Sequence, residues 1–220
     1  MASPRKYPRT PHLPFSPGVQ EDDVILPVGI LPPFLKGQVI VTEKLDGGNC
    51  SIYQGKVYSR TVNTEATHPS FGPIKQLASG ISSLIPDNIQ LFGENMFGIH
   101  SIEYNSLESF FYLFGVLEDG ERWHSWQSVL DYSSLLGLPT VPVLTIAEFQ
   151  SLNELQLLIE KNMKSRSQCG SSSPEGFVVR SVSSFSYSEF ETHVCKYVRP
   201  NHIQTTDDWR LKWKQASLKK

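Results

Sequence analysis

The stretch Glu43-Lys44-Leu45-Asp46-Gly47-Gly48 carries the most information about the fold and its chemistry. It follows the β-branched run Val39-Ile40-Val41-Thr42, so a lysine lies at the end of a strand, directly before a glycine turn. Because side chains alternate along a strand, Lys44 shares a face with Thr42. A strand end beside a tight turn is a place from which a side chain points into a cleft. Lys-x-Asp-Gly also occurs in ordinary hairpins, so its meaning depends on companions elsewhere in the chain.

The composition is that of a soluble globular protein with one domain. The chain has 220 residues, of which 39% are hydrophobic and 19% charged, which excludes the disordered and fibrous classes. No apolar run reaches the ~18–20 residues that cross a bilayer. Residues 1–17 contain five prolines and no apolar stretch, so we expect no secretory signal and no membrane association.

Charge and cysteine content restrict the partners and the compartment. The three cysteines, Cys50, Cys169 and Cys195, are odd in number and scattered, which favours a reducing, cytoplasmic environment over a disulfide framework. The formal net charge is −2, so any nucleic-acid site must be a local basic patch.

Turn residues and charge divide the chain into three parts. Residues 1–37 are rich in X-Pro pairs and are interpreted as an extended arm with a short turn at Glu21-Asp22-Asp23, either packed on the domain or flexible. Residues 38–200 form the domain. Residues 201–220 form a basic tail in which Trp209 and Trp213, spaced i, i+4, predict a helix docked by its tryptophans. Contact of this tail with an RNA backbone is the alternative.

Hydrophobic periodicity predicts an α+β fold with antiparallel sheet. Strands are predicted at 38–43, 49–54 and 56–60, forming a small meander, and later at 90–92, 109–117, 175–182 and 191–198. Helices are predicted at 73–85, at 125–136 with a serine cap, and from 152 to about 164. Thr145 with Glu148, and Ser151 with Glu154, have the spacing of capping boxes.

Four companions of Lys44 lie near the ends or within the predicted strands: Glu94, Phe114, Glu175 and Lys196. Each has a simpler interpretation. Phe114 suits an apolar core, the two glutamates suit solvated turns, and Lys196 suits a strand edge where its stem lies along apolar surface. Their occurrence together, in this order, argues against chance.

The chain resembles the covalent nucleotidyltransferase superfamily, which holds DNA ligases, RNA ligases and mRNA capping enzymes. The resemblance spans residues 39–199 and rests on residues in the order of motifs I, III, IIIa, IV and V, namely Lys44-Leu45-Asp46-Gly47, Glu94, Phe114, Glu175-Gly176 and Lys196. The aromatic motif IIIa and the spacing to motif V are most similar to the RNA-repair branch typified by the phage T4 RNA ligases. The resemblance implies the antiparallel nucleotidyltransferase fold.

The resemblance implies that Lys44 is the nucleophile that attacks the α-phosphate of ATP. A neutral amine is required, so we expect burial and the cations Lys196, Arg199 and Mg²⁺ to lower the pKa of Lys44. Lys196 would also stabilise charge on the phosphates. Glu175 is the expected ligand of Mg²⁺ (or Mn²⁺), since magnesium uses one or two carboxylates with phosphate oxygens and water.

Further residues correspond to nucleotide and RNA contacts of the family. Glu94 resembles the residue that holds the ribose hydroxyls, Phe114 the ring that stacks on adenine, and Glu43 the residue that reads the adenine amino group. Arg60 resembles motif Ia, which contacts the ribose and the incoming 3′-hydroxyl end. His68 is a candidate contact to a terminal phosphate, with a purely structural role as the alternative.

Two features depart from the wider superfamily. Many relatives carry Lys-x-Lys in motif V, whereas Val198 occupies the second position and Arg199 follows it, facing the opposite way by strand alternation. Only 21 residues follow Arg199, too few for an OB domain of roughly 80–100 residues, so a small form lacking that domain is expected.

The expected function is ATP-dependent ligation of RNA 5′-phosphate and 3′-hydroxyl ends through a lysyl-AMP intermediate, by a monomer engaged in RNA repair. The alternatives are another nucleotidyltransferase, such as a DNA nick sealer or a GTP-using capping enzyme, and a non-catalytic module that binds nucleotide or RNA. The missing OB domain argues against the first, and the intact motif residues argue against the second.

Overall fold

The computed structural model describes residues 3–27, 35, 37–200 and 213–219. These residues form four α-helices: α1 Gly72–Ile81, α2 Trp126–Leu136, α3 Leu152–Asn162 and α4 Phe190–His193. They also form twelve strands: β1 Val39–Lys44, β2 Gly48–Tyr53, β3 Lys56–Ser59, β4 Ile89–Asn95, β5 Gly98–Ile99, β6 Phe111–Glu118, β7 Arg122–Trp123, β8 Val143–Ala147, β9 Gly176–Ser181, β10 Phe185–Ser186, β11 Val194–Val198 and β12 Lys214–Gln215.

Two antiparallel sheets carry the fold, which confirms the predicted α+β class. One has four strands in the order β11-β9-β1-β8, and the other has six in the order β10-β7-β6-β4-β2-β3. The chain passes from the first sheet to the second at the turn after Lys44, where β1 ends and β2 begins. The glycine turn singled out in the sequence is therefore the junction between the sheets.

The predicted meander is only half right. β2 and β3 form the expected hairpin, with Cys50 opposite Ser59 and Tyr53 opposite Lys56. β1 does not pair with β2 but lies between β8 and β9 in the other sheet. Strands adjacent in sequence often pair, but here the glycine turn carries the chain from one sheet to the other instead of reversing it within one sheet.

Local capping signals predicted two of the helices. Ser125 accepts a hydrogen bond from the backbone N–H of Ser128 at the start of α2, and Ser151 accepts one from Glu154 at the start of α3. The prediction of a cap at Thr145 is wrong, because Thr145 lies within β8 opposite Val41. Backbone pairing with β1 keeps this segment extended, so the spacing of Thr145 and Glu148 does not produce a helix cap.

Separate apolar clusters anchor the two sheets. Leu155 and Ile159 of α3 are fully buried against the outward face of the four-stranded sheet, which presents Val39, Val41 and Val179. Helices α1 and α2 pack on the six-stranded sheet in the largest cluster. The opposite face of the four-stranded sheet is therefore left to line the space between the sheets.

The arm of residues 3–27 is packed on the domain. Leu13 N donates to Lys196 O at 2.8 Å, and Lys196 N donates to Pro11 O at 2.9 Å. Gly18 N donates to Val198 O at 2.9 Å, so the arm runs along the outer edge of β11. The open edge of the four-stranded sheet is thereby covered.

The predicted tail helix is wrong for residues 213–219 and otherwise falls outside the described residues. Lys214 and Gln215 form β12 against β5, while the ring of Trp213 lies 5.6 Å from His68 and 5.5 Å from Phe97. Backbone pairing holds this segment extended. Trp213 nevertheless packs on the domain, which is the expected behaviour of its large apolar ring.

All three cysteines are buried and free of disulfides. Of the helices that the structure describes, none has the length and hydrophobicity required to span a bilayer.

Candidate active site

The antiparallel register places Lys44 beside Glu175. Lys44, the last residue of β1, pairs with Gly176, the first residue of β9. Glu175 immediately precedes that strand, and its two carboxylate oxygens lie 2.7 and 2.8 Å from Lys44 Nζ. Two predicted site residues that are 131 positions apart thus form an ion pair at the junction of the sheets.

A glycine at 176 is required for this approach of strands. A Cβ atom there would lie 1.9 Å from the carbonyl oxygen of Tyr197 on β11. Gly47 meets a similar limit on the other side of the site, where a Cβ would lie 2.6 Å from Asn95 O and 2.9 Å from Glu94 Cγ. Both glycines therefore allow backbone to pass close to the ion pair.

Asp46 stabilises the turn between the sheets. Its Oδ2 accepts hydrogen bonds from the backbone N–H groups of Ser101 and Ile102, each at 2.8 Å, and its own N–H donates to the Tyr104 hydroxyl at 2.9 Å. The Asp of Lys-x-Asp-Gly thus fixes the loop that carries Lys44 to the edge of the cleft.

The electrostatics around Lys44 contradict the expectation of a lowered pKa. Burial alone would lower the pKa of Lys44, but the carboxylates of Glu175, Glu94 and Asp46 outweigh it and raise the pKa above its usual value. The expectation was wrong because it counted the cations of the final strand and not the acidic groups surrounding the amine. In the protein without nucleotide, Lys44 is held protonated.

Burial has the opposite consequence for the carboxylates. It raises the pKa of Glu175, a shift that Lys44 reduces and Asp46 reinforces. Burial also raises the pKa of Glu94 to about 8, although Lys44 and the backbone N–H of Gly47 both act to lower it. Glu94 therefore carries a proton through most of the neutral range when no ligand is bound.

This shift predicts a pH-dependent effect of Glu94→Gln on stability in the absence of nucleotide and metal. Folding raises the pKa of Glu94 from 4.5 to about 8, so its contribution to stability is present below pH 4.5 and is lost as the pH rises through 8. Glutamine mimics the protonated form. The variant should melt a few degrees above the wild type at about pH 9, with little difference at about pH 5.

The measurement is calorimetry in a metal chelator, with Glu103→Gln as the matched control because Glu103 is exposed. A change in melting temperature of equal size at both pH values would contradict the proposed environment of Glu94.

A β-bulge directs Phe114 toward the cleft. β4 and β6 pair Phe92 with Gly115 but Gly93 with Leu113, so Phe114 has no partner on β4. Its carbonyl accepts a hydrogen bond from Arg180 Nη1 at 3.1 Å, which replaces the lost ladder bond. The ring is half-buried and meets the ring of Tyr7 edge-on, with centroids 5.2 Å apart.

A cavity of about 620 Å³ opens between the sheets at this point. Seven of the eight predicted site residues line it, namely Glu43, Lys44, Arg60, His68, Glu94, Phe114 and Lys196. Glu175 does not line the described cavity and is only 4% exposed, but it forms an ion pair with Lys44, which does. The volume lies in the range of small-molecule sites.

Glu43 lies at the wall of this cavity and is almost fully buried. Its Oε2 accepts a hydrogen bond from the backbone N–H of Gln168 at 3.1 Å, and the Ser167 side chain also hydrogen-bonds to this carboxylate. Burial raises the pKa of Glu43. Because side chains alternate along β1, Glu43 shares a face with Val41, and its carboxylate is engaged by the segment that contains Ser167 and Gln168.

Arg60 and His68 lie on one side of the cavity. Arg60 follows β3 and is exposed, so its guanidinium is accessible to a ligand from solvent. His68 Nδ1 accepts from the backbone N–H of Ser70 at 3.2 Å and caps a short 3₁₀ helix at Pro69–Phe71. His68 thus has a structural contact in addition to its place in the cavity wall.

The final strand presents Lys196 to the cavity and directs Arg199 elsewhere. Lys196 pairs across β9 with Val178, which in turn pairs with Thr42, so Lys196 shares a face with Thr42 and Lys44. Arg199 Nη1 donates to Ser173 Oγ at 2.6 Å, and Arg199 is absent from the described cavity lining. Strand alternation had predicted this orientation of Arg199.

A family model described as RNA ligase matches residues 37–198, which is most of the chain. The chain belongs to the RNA ligase family. The match includes the motifs from Lys44 to Lys196 and the strands that bring them together.

Solved structures of RNA ligases have the same fold. A variant of Naegleria gruberi RNA ligase with ATP and Mn superposes with a TM-score of 0.55 at 19% identity, covering 79% of this chain and 53% of that one. Another variant of that ligase, also with ATP and Mn, superposes at 0.57 with 17% identity and covers 92% and 63% of the two chains. This chain thus spans about half to two thirds of the length of those ligases. No curated protein sequence matches it.

These comparisons confirm the antiparallel nucleotidyltransferase fold expected from the motifs. The roles of the individual RNA ligase site residues stay predictions that the geometry supports to different degrees, most directly for Lys44 and Glu175.

The cavity wall also includes polar and aromatic residues that the sequence did not predict, among them Tyr7, Thr10 and Arg180. Tyr7 and Thr10 come from the arm, which the sequence predicted only as an extended segment. Arg180 is buried, and its guanidinium donates to the carbonyls of Phe114 and His124. Arg180 directly follows the apolar run Phe177-Val178-Val179, and a charged residue in that position could have indicated a site residue. The position of Tyr7 depends on how the arm packs on the domain.

Proposed function

We propose that this member of the RNA ligase family is an ATP-dependent ligase that joins RNA 5′-phosphate and 3′-hydroxyl ends through a lysyl-AMP intermediate. The observation that carries the proposal is Lys44 Nζ held by Glu175 in the wall of a nucleotide-sized cavity. The proposal includes three steps: transfer of AMP to Lys44, transfer of AMP to the RNA 5′-phosphate, and attack of the 3′-hydroxyl with release of AMP.

In the first step, Lys44 Nζ forms a bond to the α-phosphorus while the bond from that phosphorus to the pyrophosphate oxygen breaks. The amine must first lose a proton. Glu175 is the nearest acceptor, with Oε1 2.7 Å from Lys44 Nζ, and burial raises its pKa, which makes it a stronger base. Lys196, on the same face of the sheet, is placed to stabilise the negative charge that develops on the phosphates.

The donor chemistry of the site fits a divalent cation. Glu175 and Asp46 place negative charge near Lys44, and carboxylates suit Mg²⁺ or Mn²⁺, which take their remaining ligands from phosphate and water. In the described part of the chain, no three acidic, histidine or cysteine side chains form a complete metal site. Glu175 is the residue proposed to hold the metal, which when bound would neutralise phosphate charge.

The adenosine moiety is assigned to the part of the cavity between Phe114, Glu94 and Glu43. The half-buried ring of Phe114 offers an apolar contact for adenine, and Glu94 offers oxygens to the ribose hydroxyls. Glu43, which lies in the cavity wall next to Lys44, is assigned to reading the adenine amino group, a contact that would select ATP over GTP. Arg60 and His68, on the solvent side, are assigned to the RNA end.

Phe114→Ala should weaken ATP binding more than it slows AMP transfer at saturating ATP. An aromatic contact contributes about 0.5–1.5 kcal/mol beyond area burial, which corresponds to a loss of affinity of about 2- to 10-fold. Equilibrium binding and single-turnover rates separate the two effects. Phe110→Ala is the control, since Phe110 is also half-buried but packs against Phe97 at 4.8 Å, outside the described cavity lining. Unchanged ATP affinity with a lower melting temperature would make Phe114 ordinary core.

The proposed function is tested by incubating the protein with α-labelled ATP or GTP and then with matched RNA or DNA carrying 5′-phosphate ends. We expect label on the protein only with ATP and a divalent metal, and joined product with RNA. Preference for GTP would support a capping-type enzyme, preference for DNA a nick sealer, and absence of label a binding module.

We also propose that the ligase repairs broken RNA, resembles the phage T4 branch, and acts as a cytoplasmic monomer. The motif order from Lys44 to Lys196 supports the branch, and the three buried free cysteines suit a reducing compartment.

A further inference from the structure

The N-terminal arm places a carboxylate beside Lys196, a residue of the cavity wall. Asp23 follows the turn at residues 21–22, and its Oδ1 lies 3.2 Å from Lys196 Nζ. Both side chains are partly shielded, with 24% of Asp23 and 20% of Lys196 exposed. Of the carboxylates that the structure describes, Asp23 alone is within ion-pair distance of Lys196.

Residues of the arm hold the Asp23 carboxylate in place. His12 is 1% exposed, and its Nε2 lies 3.0 Å from Asp23 Oδ2. The other ring nitrogen, Nδ1, lies 2.8 Å from Ser16 Oγ, which accepts a hydrogen bond from the backbone N–H of Val198 at 2.9 Å. The backbone N–H of Gln20 also donates to Asp23 Oδ2 at 3.0 Å. The carboxylate is thus fixed from the arm and connected to the strand that carries Lys196.

Lys196 needs such a partner because its surroundings disfavour its charge. Burial lowers the pKa of Lys196, and the nearby cations Lys44 and Arg60 lower it further. Asp23 acts against both, and Glu175 adds a more distant negative charge. His12 does not compete as a cation, because burial lowers its pKa to about 4.

We propose that Asp23 is a positioning residue for nucleotidyl transfer, which holds the Lys196 ammonium at the cavity wall where the phosphates of ATP are handled. The inference rests on the proposed function for the role of Lys196 and extends it to the arm, which the family match at residues 37–198 does not include. The arm is therefore part of the active site and not only a cover for the sheet edge.

Asp23→Asn tests the proposal, with Asp22→Asn as the matched control because Asp22 is exposed and pairs with Arg9 on the surface. Single-turnover transfer of AMP to the protein is measured at saturating ATP across pH. We expect a rate loss of about tenfold, the size typical of removing an outer partner of a site residue. The alkaline limb of the profile should move to lower pH, because Lys196 loses its proton more readily without Asp23. Asp22→Asn should match the wild type.

Asp23→Glu distinguishes loss of the carboxylate charge from a folding defect in Asp23→Asn. It keeps the charge but displaces it by one methylene, so it should retain the alkaline limb and lose only part of the rate. Absence of adduct in the wild type would refute the proposed function itself. If the wild type forms the adduct, two results would overturn the positioning role alone. Asp23→Asn could transfer AMP at the same rate as Asp22→Asn, or it could be slower while the alkaline limb of its pH profile stays in place.

Discussion

Lys44→Ala should abolish both covalent attachment of AMP and joining of RNA ends from ATP. The amine held by Glu175 is the only proposed nucleophile of the cavity, and alanine cannot form the phosphoramidate bond. We expect no labelled protein above background after incubation with α-labelled ATP and Mg²⁺, followed by denaturing electrophoresis. ATP affinity should change far less, since the proposed contacts to the base and the ribose involve other residues.

Lys56→Ala serves as the control for loss of a lysine, because Lys56 is exposed at the start of β3. It should be labelled like the wild type. A second readout uses RNA that is already adenylylated at its 5′ end, which bypasses the first two steps. Lys44→Ala should retain part of this activity, and an acid-labile, base-stable adduct in Lys44→Ala would show that another residue is the nucleophile.

Arg60→Ala should separate AMP transfer from strand joining. Arg60 lies on the solvent side of the cavity, and its five N–H donors suit orientation of a ribose and phosphate at an RNA end. In the proposed mechanism Lys196 and the metal would stabilise the α-phosphate, so AMP transfer to Lys44 would need little from Arg60. Joining requires the 3′-hydroxyl near the activated phosphate, where misplacement by ~1 Å costs ~100-fold. We expect near-normal labelling of Lys44 and a loss of about 100-fold in joining of pre-adenylylated RNA.

The two steps are measured on one preparation, so a folding defect would appear in both. Arg122→Ala is the control, since Arg122 is 62% exposed and pairs with Glu118 away from the described cavity lining. An equal loss in both steps for Arg60→Ala would make Arg60 an ATP contact or a structural residue and would refute its assignment to the RNA end.

Much of the site was accessible from the sequence because its residues lie at strand ends. Lys44, Glu175 and Glu94 each follow or precede an apolar run, and antiparallel pairing brings such ends together. The β2–β3 hairpin and the capped helix α2 were likewise set by local signals. Motif order then predicted which strand ends share one cavity.

Features that depend on long-range packing could not be predicted. The assignment of β1 to a different sheet from β2 depends on pairing with β8 and β9, which are distant in sequence. The raised pKa of Lys44 depends on three carboxylates that only the fold brings together. The contact of Asp23 with Lys196 joins residues 173 positions apart and depends on the path of the arm.

The central claim is that Lys44 becomes covalently adenylylated and that this AMP passes to RNA. The most direct measurement is peptide mass spectrometry of the wild-type protein after incubation with ATP and Mg²⁺, before and after addition of RNA with a 5′-phosphate. The account predicts the mass of one AMP on the peptide containing Lys44, and its loss when RNA is added. An adduct on any other residue, or a Lys44 adduct that persists in the presence of RNA, would contradict it.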